Sequence, residues 1–333
     1  MISLFPVPGF NMAFITRGIW FFKGLKEYTK SGFEKARATF RPEDLDDADM
    51  NGHTVMITGA NSGIGKCVAT ALAKLGAEVH LICRNPSSAE EAKKEISAAT
   101  GNPNVHIHTL DMSLPRDVTR FAQWFVREGK SLDVLVNNAG CMVHTRQTDA
   151  DGLELNFATN TLGTHLLTMG LLPALKKATN GKARVVVVSS GGMLTQRLDV
   201  NDLQTEKKAY DGTAVYAQNK RQQVIMVELY AKKYPEVFFA SMHPGWADTP
   251  AVRSAMPGFY ERMKDRLRTA EQGADTVVWL SAAKSAVDQP SGSFFQDRQP
   301  VATHLPMSRT RVTPADEEKL MTILDEYYMK FKE

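Results

Sequence analysis

From Thr54 onward, short apolar runs alternate with longer segments in which apolar residues recur every three or four positions. The runs predict strands buried on both faces, and the periodic segments predict helices. The predicted strands are Thr54–Thr58, Glu78–Arg84, Val105–Asp111, Val134–Asn137, Arg184–Ser190, Val237–His243 and Gly292–Gln296. Between them fall predicted helices at Ile64–Leu75, Ala89–Ala99, Val118–Arg127, Leu155–Lys176, Val215–Lys233 and Ala270–Ala283, the last opened by a Thr269/Gln272 capping box. This alternation implies one doubly wound α/β domain, with a mostly parallel sheet of about seven strands and helices on both faces. The domain spans 52–300, preceded by an acidic linker at 41–51 and followed by an extension, 301–333, with a charged helix over Pro314–Glu333.

Residues 1–40 read as an apolar and basic appendage. Met1 to Thr16 carries no charge but is broken by Pro6, Pro8 and Gly9, too short and interrupted to cross a bilayer. It lacks the basic start of a secretory signal. From Phe14 to Tyr28, helical spacing groups Phe14, Ile15, Ile19, Phe21, Phe22 and Leu25 on one face, with Trp20 off it. Such a helix suits a membrane surface, packing on the domain, or contact with a second subunit. An organellar transit peptide is a further reading.

Composition narrows the classes. The 333 residues are 43% hydrophobic and 23% charged, as in soluble globular proteins. A net charge of +3 gives no reason to expect nucleic acid, and the excess resides in residues 1–40. Cys67, Cys83 and Cys141 are odd in number and widely spaced, which argues against a disulfide framework and for a reducing, intracellular compartment, cytoplasmic or mitochondrial. His106 and His108 share one strand face with no further ligands nearby in sequence, so they read as a structural pair and no metal is expected.

The stretch Thr58-Gly59-Ala60-Asn61-Ser62-Gly63-Ile64-Gly65 joins the first strand to the first helix. A glycine turn at a helix start presents backbone N–H groups to an anion, here a dinucleotide pyrophosphate. Gly59 suits the tight turn, Gly63 close approach of the pyrophosphate, and Gly65 tight helix–strand contact, with Asn61, Ser62 and Ile64 beside them. Arg84, after the second strand, is a fork of donors suited to a ribose 2′-phosphate, which favours NADP(H) over NAD(H). Lys66 is a candidate second cation. Tyr216 and Lys220 are i and i+4 on one helix face. A neighbouring ammonium stabilises phenolate, letting Tyr216 exchange a proton with a substrate oxygen while Ser190 hydrogen-bonds the same oxygen.

Thr58–Gly65, Asn137-Asn138-Ala139-Gly140, Ser189-Ser190, Tyr216–Lys220 and Pro244-Gly245, in that order, resemble the short-chain dehydrogenase/reductase family, which builds a Rossmann-type domain. Ile57–Lys66, Cys83-Arg84, Asn160–Gly163 and Gly292–Asp297 are similar to its retinol-dehydrogenase-like branch. The resemblance implies a tetrad of Asn160, Ser190, Tyr216 and Lys220, with Asn160 carrying a water-linked proton relay and Lys220 reaching the nicotinamide ribose. It implies adenine contact at Asp111, close approach of Asn138, Ala139 and Gly140 to the nicotinamide half, and carboxamide contacts from Pro244, Gly245 and Thr249. The 25-residue step from Ser190 to Tyr216 is longer than in many members; its insertion, Leu194–Thr213, is expected at the substrate mouth, and Ser189 stays an alternative to Ser190. Pro250–Arg268 reads as a lid whose methionines and aromatics suit a lipophilic alcohol or carbonyl such as a retinoid, steroid or fatty aldehyde, with its arginines on a solvated face. A cofactor-binding sensor or scaffold with little turnover is the alternative function, and a homo-oligomer is compatible with the chain.

Overall fold

The computed structural model describes residues 12–332, with side chains from residue 15. Pro6, Pro8 and Gly9 and the side chain of Phe14 therefore lie outside the described residues, as does Glu333. Helices α1 (Met12–Glu27), α2 (Lys30–Arg37) and α3 (Glu43–Asp46) precede strand β1 (Thr54–Thr58). There follow α4 (Gly63–Lys74), β2 (Glu78–Cys83), α5 (Pro86–Thr100), β3 (Val105–Thr109), α6 (Pro115–Arg127), β4 (Val134–Asn137), α7 (Gly163–Leu175), β5 (Arg184–Val188), α8 (Gly212–Lys233) and β6 (Phe238–Met242). The chain ends with α9 (Pro250–Ala255), α10 (Pro257–Met263), α11 (Ala270–Ala282), β7 (Phe294–Gln296), β8 (Gln299–Pro300) and α12 (Pro314–Lys332).

The sheet runs β3-β2-β1-β4-β5-β6-β7-β8, parallel throughout except for the β7–β8 pair. The strand β8 adds an eighth to the seven expected. It is two residues long, below the length at which alternation or an apolar run can be read. Its turn, Asp297-Arg298, has φ of +50° and +60° at two non-glycine residues, as a two-residue hairpin requires. Tertiary ion pairs hold it: Asp297 grips Arg268, and Arg298 grips Asp275 through two contacts of 2.7 and 2.8 Å.

The apolar runs behave as strands covered on both faces. Val185 and Val187 pack into the core beneath α6, α7 and α12, while Val186 and Val188 enter the opposite core with residues of α4 and α11. Alternate side chains of one strand thus face two separate helix layers. Strand order reverses between β1 and β4, which opens a crevice beyond the carboxyl ends of the strands.

Two helices depart from the expected form. The segment read as one helix over Leu155–Lys176 begins with a π-helical turn at Phe157–Leu162 before α7. Such a turn inserts one residue per winding and redirects a side chain, here Asn160. In α1 the inward residues are Ile19 and Leu25 of the grouped face together with Trp20 from off it, while Phe21 and Phe22 stay exposed. The Trp20 indole N–H donates to Gly191 O at 2.7 Å, whereas Phe22 is 73% exposed. Gly24, one turn later, lets α1 settle against Trp246: a Cβ there would stand 2.2 Å from that ring. A composite apolar face was visible along α1, but which part docks was decided by the aromatic partners it meets.

Candidate active site

All of the candidate residues except Asn160 and Lys66 line one cleft of about 580 Å³ at the strand-order reversal. Its floor is the turn after β1. Gly59 has φ +64°, and a Cβ there would meet Ala139 Cα at 3.1 Å. Gly65 is pressed harder: a Cβ would fall 2.3 Å from Gly59 O. Gly63 (φ +52°) opens α4, whose N-cap Ser62 makes no side-chain cap bond. The first N–H groups of a 12-residue helix and the Ser62 hydroxyl therefore face the cleft without an internal partner claiming the hydroxyl. Asn61 is steadied by Ser88, its Nδ2 donating to Oγ at 3.1 Å.

β1 and β4 are stitched at the same end. Thr58 Oγ1 accepts from Asn138 N and Ala139 N, both at 2.9 Å. Asn138 Nδ2 donates to Thr58 O at 2.8 Å, so its side chain braces the glycine turn. Gly140 has its absent side chain replaced by Asn160: a Cβ would come 3.0 Å from Asn160 Oδ1. Arg84 is 75% exposed at the cleft rim, with only a 3.9 Å approach to Asp111. Asp111 is occupied by Ser113, accepting from its N and Oγ at 2.9 and 2.7 Å. Lys66 does not join them. It pairs with Glu95 and lies off the cleft lining, because position four of α4 points toward α5.

On the other side stand Ser190, Tyr216 and Lys220. Ser190 follows β5 and accepts from Gly192 N at 3.1 Å, which leaves its O–H free to donate. Ser189 instead donates to Lys220 O at 2.9 Å and is buried. Of the two serines, only Ser190 keeps an uncommitted proton. Lys220 Nζ donates to Val188 O at 2.8 Å and Gln223 Oε1 at 3.1 Å, and stands 5.3 Å from the centre of the Tyr216 ring. Burial pushes Lys220 down to about 7 and pushes Tyr216 well up, the nearby Cys141 adding to the latter. Burial thus dominates both groups, raising the phenol and bringing the neighbouring ammonium into the neutral range. Burial likewise raises Cys141, whose thiol turns to Leu155 O.

Asn160 sits behind the cleft, its Oδ1 accepting from Cys141 N and its Nδ2 donating to Cys141 O, each at 2.9 Å. Its backbone carbonyl, freed by the π-turn, accepts from Gln223 Nε2 at 2.6 Å. Gln223 thus links Lys220 to Asn160. No motif marked it; the signal was its place three residues after Lys220, on the same helix face.

The wall around Pro244, Gly245 and Trp246 depends on residues that motif reading missed. Arg268, taken above as solvated, is 1% exposed. Its guanidinium binds Asp297 bidentately at 2.6 and 2.9 Å and donates to Glu27 O, Thr29 O and Pro244 O at 2.6, 3.3 and 3.3 Å. Gly245, at φ +76°, has no room for a side chain because Arg268 Nε would lie 2.3 Å from its Cβ. Trp246 N donates to Tyr28 O at 2.8 Å, and the Trp246 ring meets Trp20, Tyr28 and Phe259 edge-on within 6 Å. Thr249 caps α9, accepting from Val252 N. Val252, Met256 and Phe259 complete an apolar side of the cleft. The insertion Leu194–Thr213 does not contribute to that lining. Leu198 and Val200 enter the core beside α12, while Tyr210 donates to Glu154 at 2.8 Å and to Val143 O at 3.2 Å, so the end of the segment packs behind the lining residue Val143.

The family model for short chain dehydrogenase matches residues 53–256. Dehydrogenase/reductase SDR family member 12 from Bos taurus is 55% identical over 313 residues, covering 94% of this chain and 98% of its own. Retinol dehydrogenase 11 from Homo sapiens is 36% identical, covering 74% of this chain and 78% of its own. A solved short chain dehydrogenase from Shigella flexneri, complexed with NADP, superposes with a TM-score of 0.60 at 23% identity, over 77% of this chain and all of its own. With its crevice at the strand-order reversal and its motifs in sequence along it, the chain belongs to the short-chain dehydrogenase/reductase family of oxidoreductases.

Proposed function

We propose that this protein is an NADP(H)-dependent oxidoreductase acting on a lipophilic alcohol or carbonyl, with Tyr216 as general acid and base. The observation that carries the reading is the convergence of the glycine turn, Arg84, Ser190, Tyr216 and Lys220 on one cleft. The cleft fits the cofactor: two glycines that exclude a Cβ make close backbone approach possible, and an N-cap hydroxyl with no cap bond faces it. Arg84, with no close partner, supplies positive charge for a 2′-phosphate. Nicotinamide, when bound, supplies or accepts the hydride.

The chain's own groups handle the oxygen and its proton. Ser190 donates to the substrate oxygen and orients it. Tyr216 gives that oxygen its proton in reduction and takes it back in oxidation. With its titration near 7, Lys220 holds or releases a proton at neutral pH, and its protonated form lowers the cost of ionising the phenol. Asn160, through Gln223, fixes where Lys220 stands. Val252, Met256, Phe259 and Trp246 favour an apolar substrate body, in keeping with retinol dehydrogenase 11 among the relatives. Among the described residues no helix is long and apolar enough to cross a membrane. Contact of α1 with a membrane surface would fall to the exposed Phe21 and Phe22, since Trp20 is spent on the domain.

The test is NADPH oxidation with retinal, steroid ketones and medium-chain aldehydes, followed in wild type and Tyr216→Phe. Turnover lost in the variant supports the reading. A protein that binds NADPH yet turns over none of these classes is a sensor or scaffold instead.

A further inference from the structure

Away from the cleft, the parallel pair β2–β3 gathers four residues that are metal ligands by type. Its register sets His80 beside His106 and Ile82 beside His108. Since side chains alternate faces along a strand, Glu78, His80, His106 and His108 all project from the same side of the sheet. His80 Nε2 lies 3.1 Å from Glu78 Oε1, and His106 Nε2 lies 3.3 Å from the same oxygen. The three atoms fall within 4.8 Å of one another. Around a tetrahedral zinc ion with bonds of about 2.0–2.1 Å, ligand atoms stand about 3.3 Å apart. Small side-chain adjustments therefore convert this triangle into three corners of a coordination sphere.

The surroundings match the same use. Ligating histidines are held through their second ring nitrogen. Here His80 Nδ1 meets His108 Nε2 at 2.8 Å, and His80 stacks on His108 and lies edge-on to Phe125. With His80 Nδ1–H donating to His108 Nε2, the His80 Nε2 lone pair is the one available to an ion beside Glu78 and His106. His80 is fully buried, whereas Glu78 and His106 are 40% and 45% exposed, giving an ion a route in and water a fourth position. Burial holds His80 and His108 below the usual imidazole range, which keeps both rings neutral as ligands require.

We propose that Glu78, His80 and His106 form a binding site for a divalent transition ion of the zinc class, with His108 as the positioning residue and water completing the sphere. Two imidazoles and one carboxylate suit zinc, nickel or copper better than magnesium or calcium. The site clips the edge strand β3 to β2 at their amino-terminal ends. It lies on the order of 13 Å along β2 from Arg84, so it acts on the stability of the edge and leaves the chemistry of the cleft alone.

The experiment uses the full chain, stripped with a chelator and desalted, then titrated with zinc against a chromophoric competitor. The wild type should bind one equivalent, Glu78→Gln and His106→Ala at least tenfold more weakly, and the double variant should lose the site. His108→Ala should keep the stoichiometry with weaker affinity. Cobalt should give the visible bands of a four-coordinate ion in the wild type only, and zinc should raise the unfolding temperature of the wild type but not of the double variant. Both ligand changes lie at half-exposed positions, and circular dichroism checks their folding. Equal zinc affinity in wild type and double variant, or no cobalt band at one equivalent, overturns the proposal: the cluster is then a hydrogen-bonded network only. Neither result depends on turnover by Tyr216.

Discussion

One wall of the cleft draws Gly59, Ser62, Gly65 and Asn138 from the ends of β1, β4 and the start of α4, where a strand stops and its helix begins. The facing wall, Pro244 to Trp246, is held by Tyr28, Trp20 and Arg268 through contacts that leap from the first forty residues to the last third of the chain, as in the Arg268-to-Glu27 bond. The first wall is shaped by backbone and tolerates no added side chains. The second is shaped by large side chains, Trp20, Tyr28 and Arg268, closed around Gly245 and Trp246. An anion-binding turn can be written into eight consecutive residues, whereas an apolar wall has to be assembled from parts that fold at different places.

Between the walls, Tyr216→Phe should reduce kcat about a thousandfold with NADPH affinity unchanged, the scale of a lost general acid. Parallel losses in cofactor binding would assign Tyr216 to the cofactor wall instead. Gly65→Val should come next: overpacking against Gly59 O costs about 1–3 kcal/mol of stability and should abolish NADPH binding, read by fluorescence titration together with thermal unfolding. On the opposite wall, Trp20→Ala should cost about 2 kcal/mol, below the range for a fully buried tryptophan. It should lower kcat while the NADPH titration stays as in wild type. If its cofactor affinity falls instead, the two walls are not independent and the contrast drawn here breaks.

Arg84→Ala should raise the KM for NADPH about tenfold, about 1.4 kcal/mol, and leave that for NADH unchanged. The smallest effect concerns Lys220 and is read as a slope. Its folded titration, near 7, lies below its unfolded value near 10.4, so between those limits the unfolded chain binds the extra proton and stability rises with pH. In the cofactor-free protein, the unfolding temperature of wild type relative to Lys220→Met should therefore climb from pH 7 to pH 9. A flat difference would mean that Lys220 stays charged in the cleft.

How far the site could be read along the chain follows the same division. Gly59, Gly63, Gly65, Arg84, Ser190, Tyr216 and Lys220 could be named because each sits at a fixed distance from a strand end or on one helix face. What sets Ser189 apart from Ser190 lay outside the local pattern, since Ser189 is committed to a hydrogen bond with Lys220 O. Gln223 was hidden because its partner is a carbonyl exposed by a π-turn 63 residues away. Arg268 looked like one of several lid arginines until Asp297, in a strained hairpin turn, gave it a buried partner. Likewise His106 and His108 stood alone in sequence, and Glu78 and His80 joined them only through strand pairing.

The order of strands and helices, the glycine turn and the Tyr216–Lys220 pair were determined by the sequence itself, because each rests on interactions between residues a few positions apart. The docking of α1, the packing of 194–213 beside α12, the protonation of Lys220 and the gathering of Glu78 with three histidines were decided by tertiary structure. Their energies depend on burial and on partners that no local pattern contains: the same arginine, lysine or histidine is a solvated side chain or a structural centre according to what the fold brings against it.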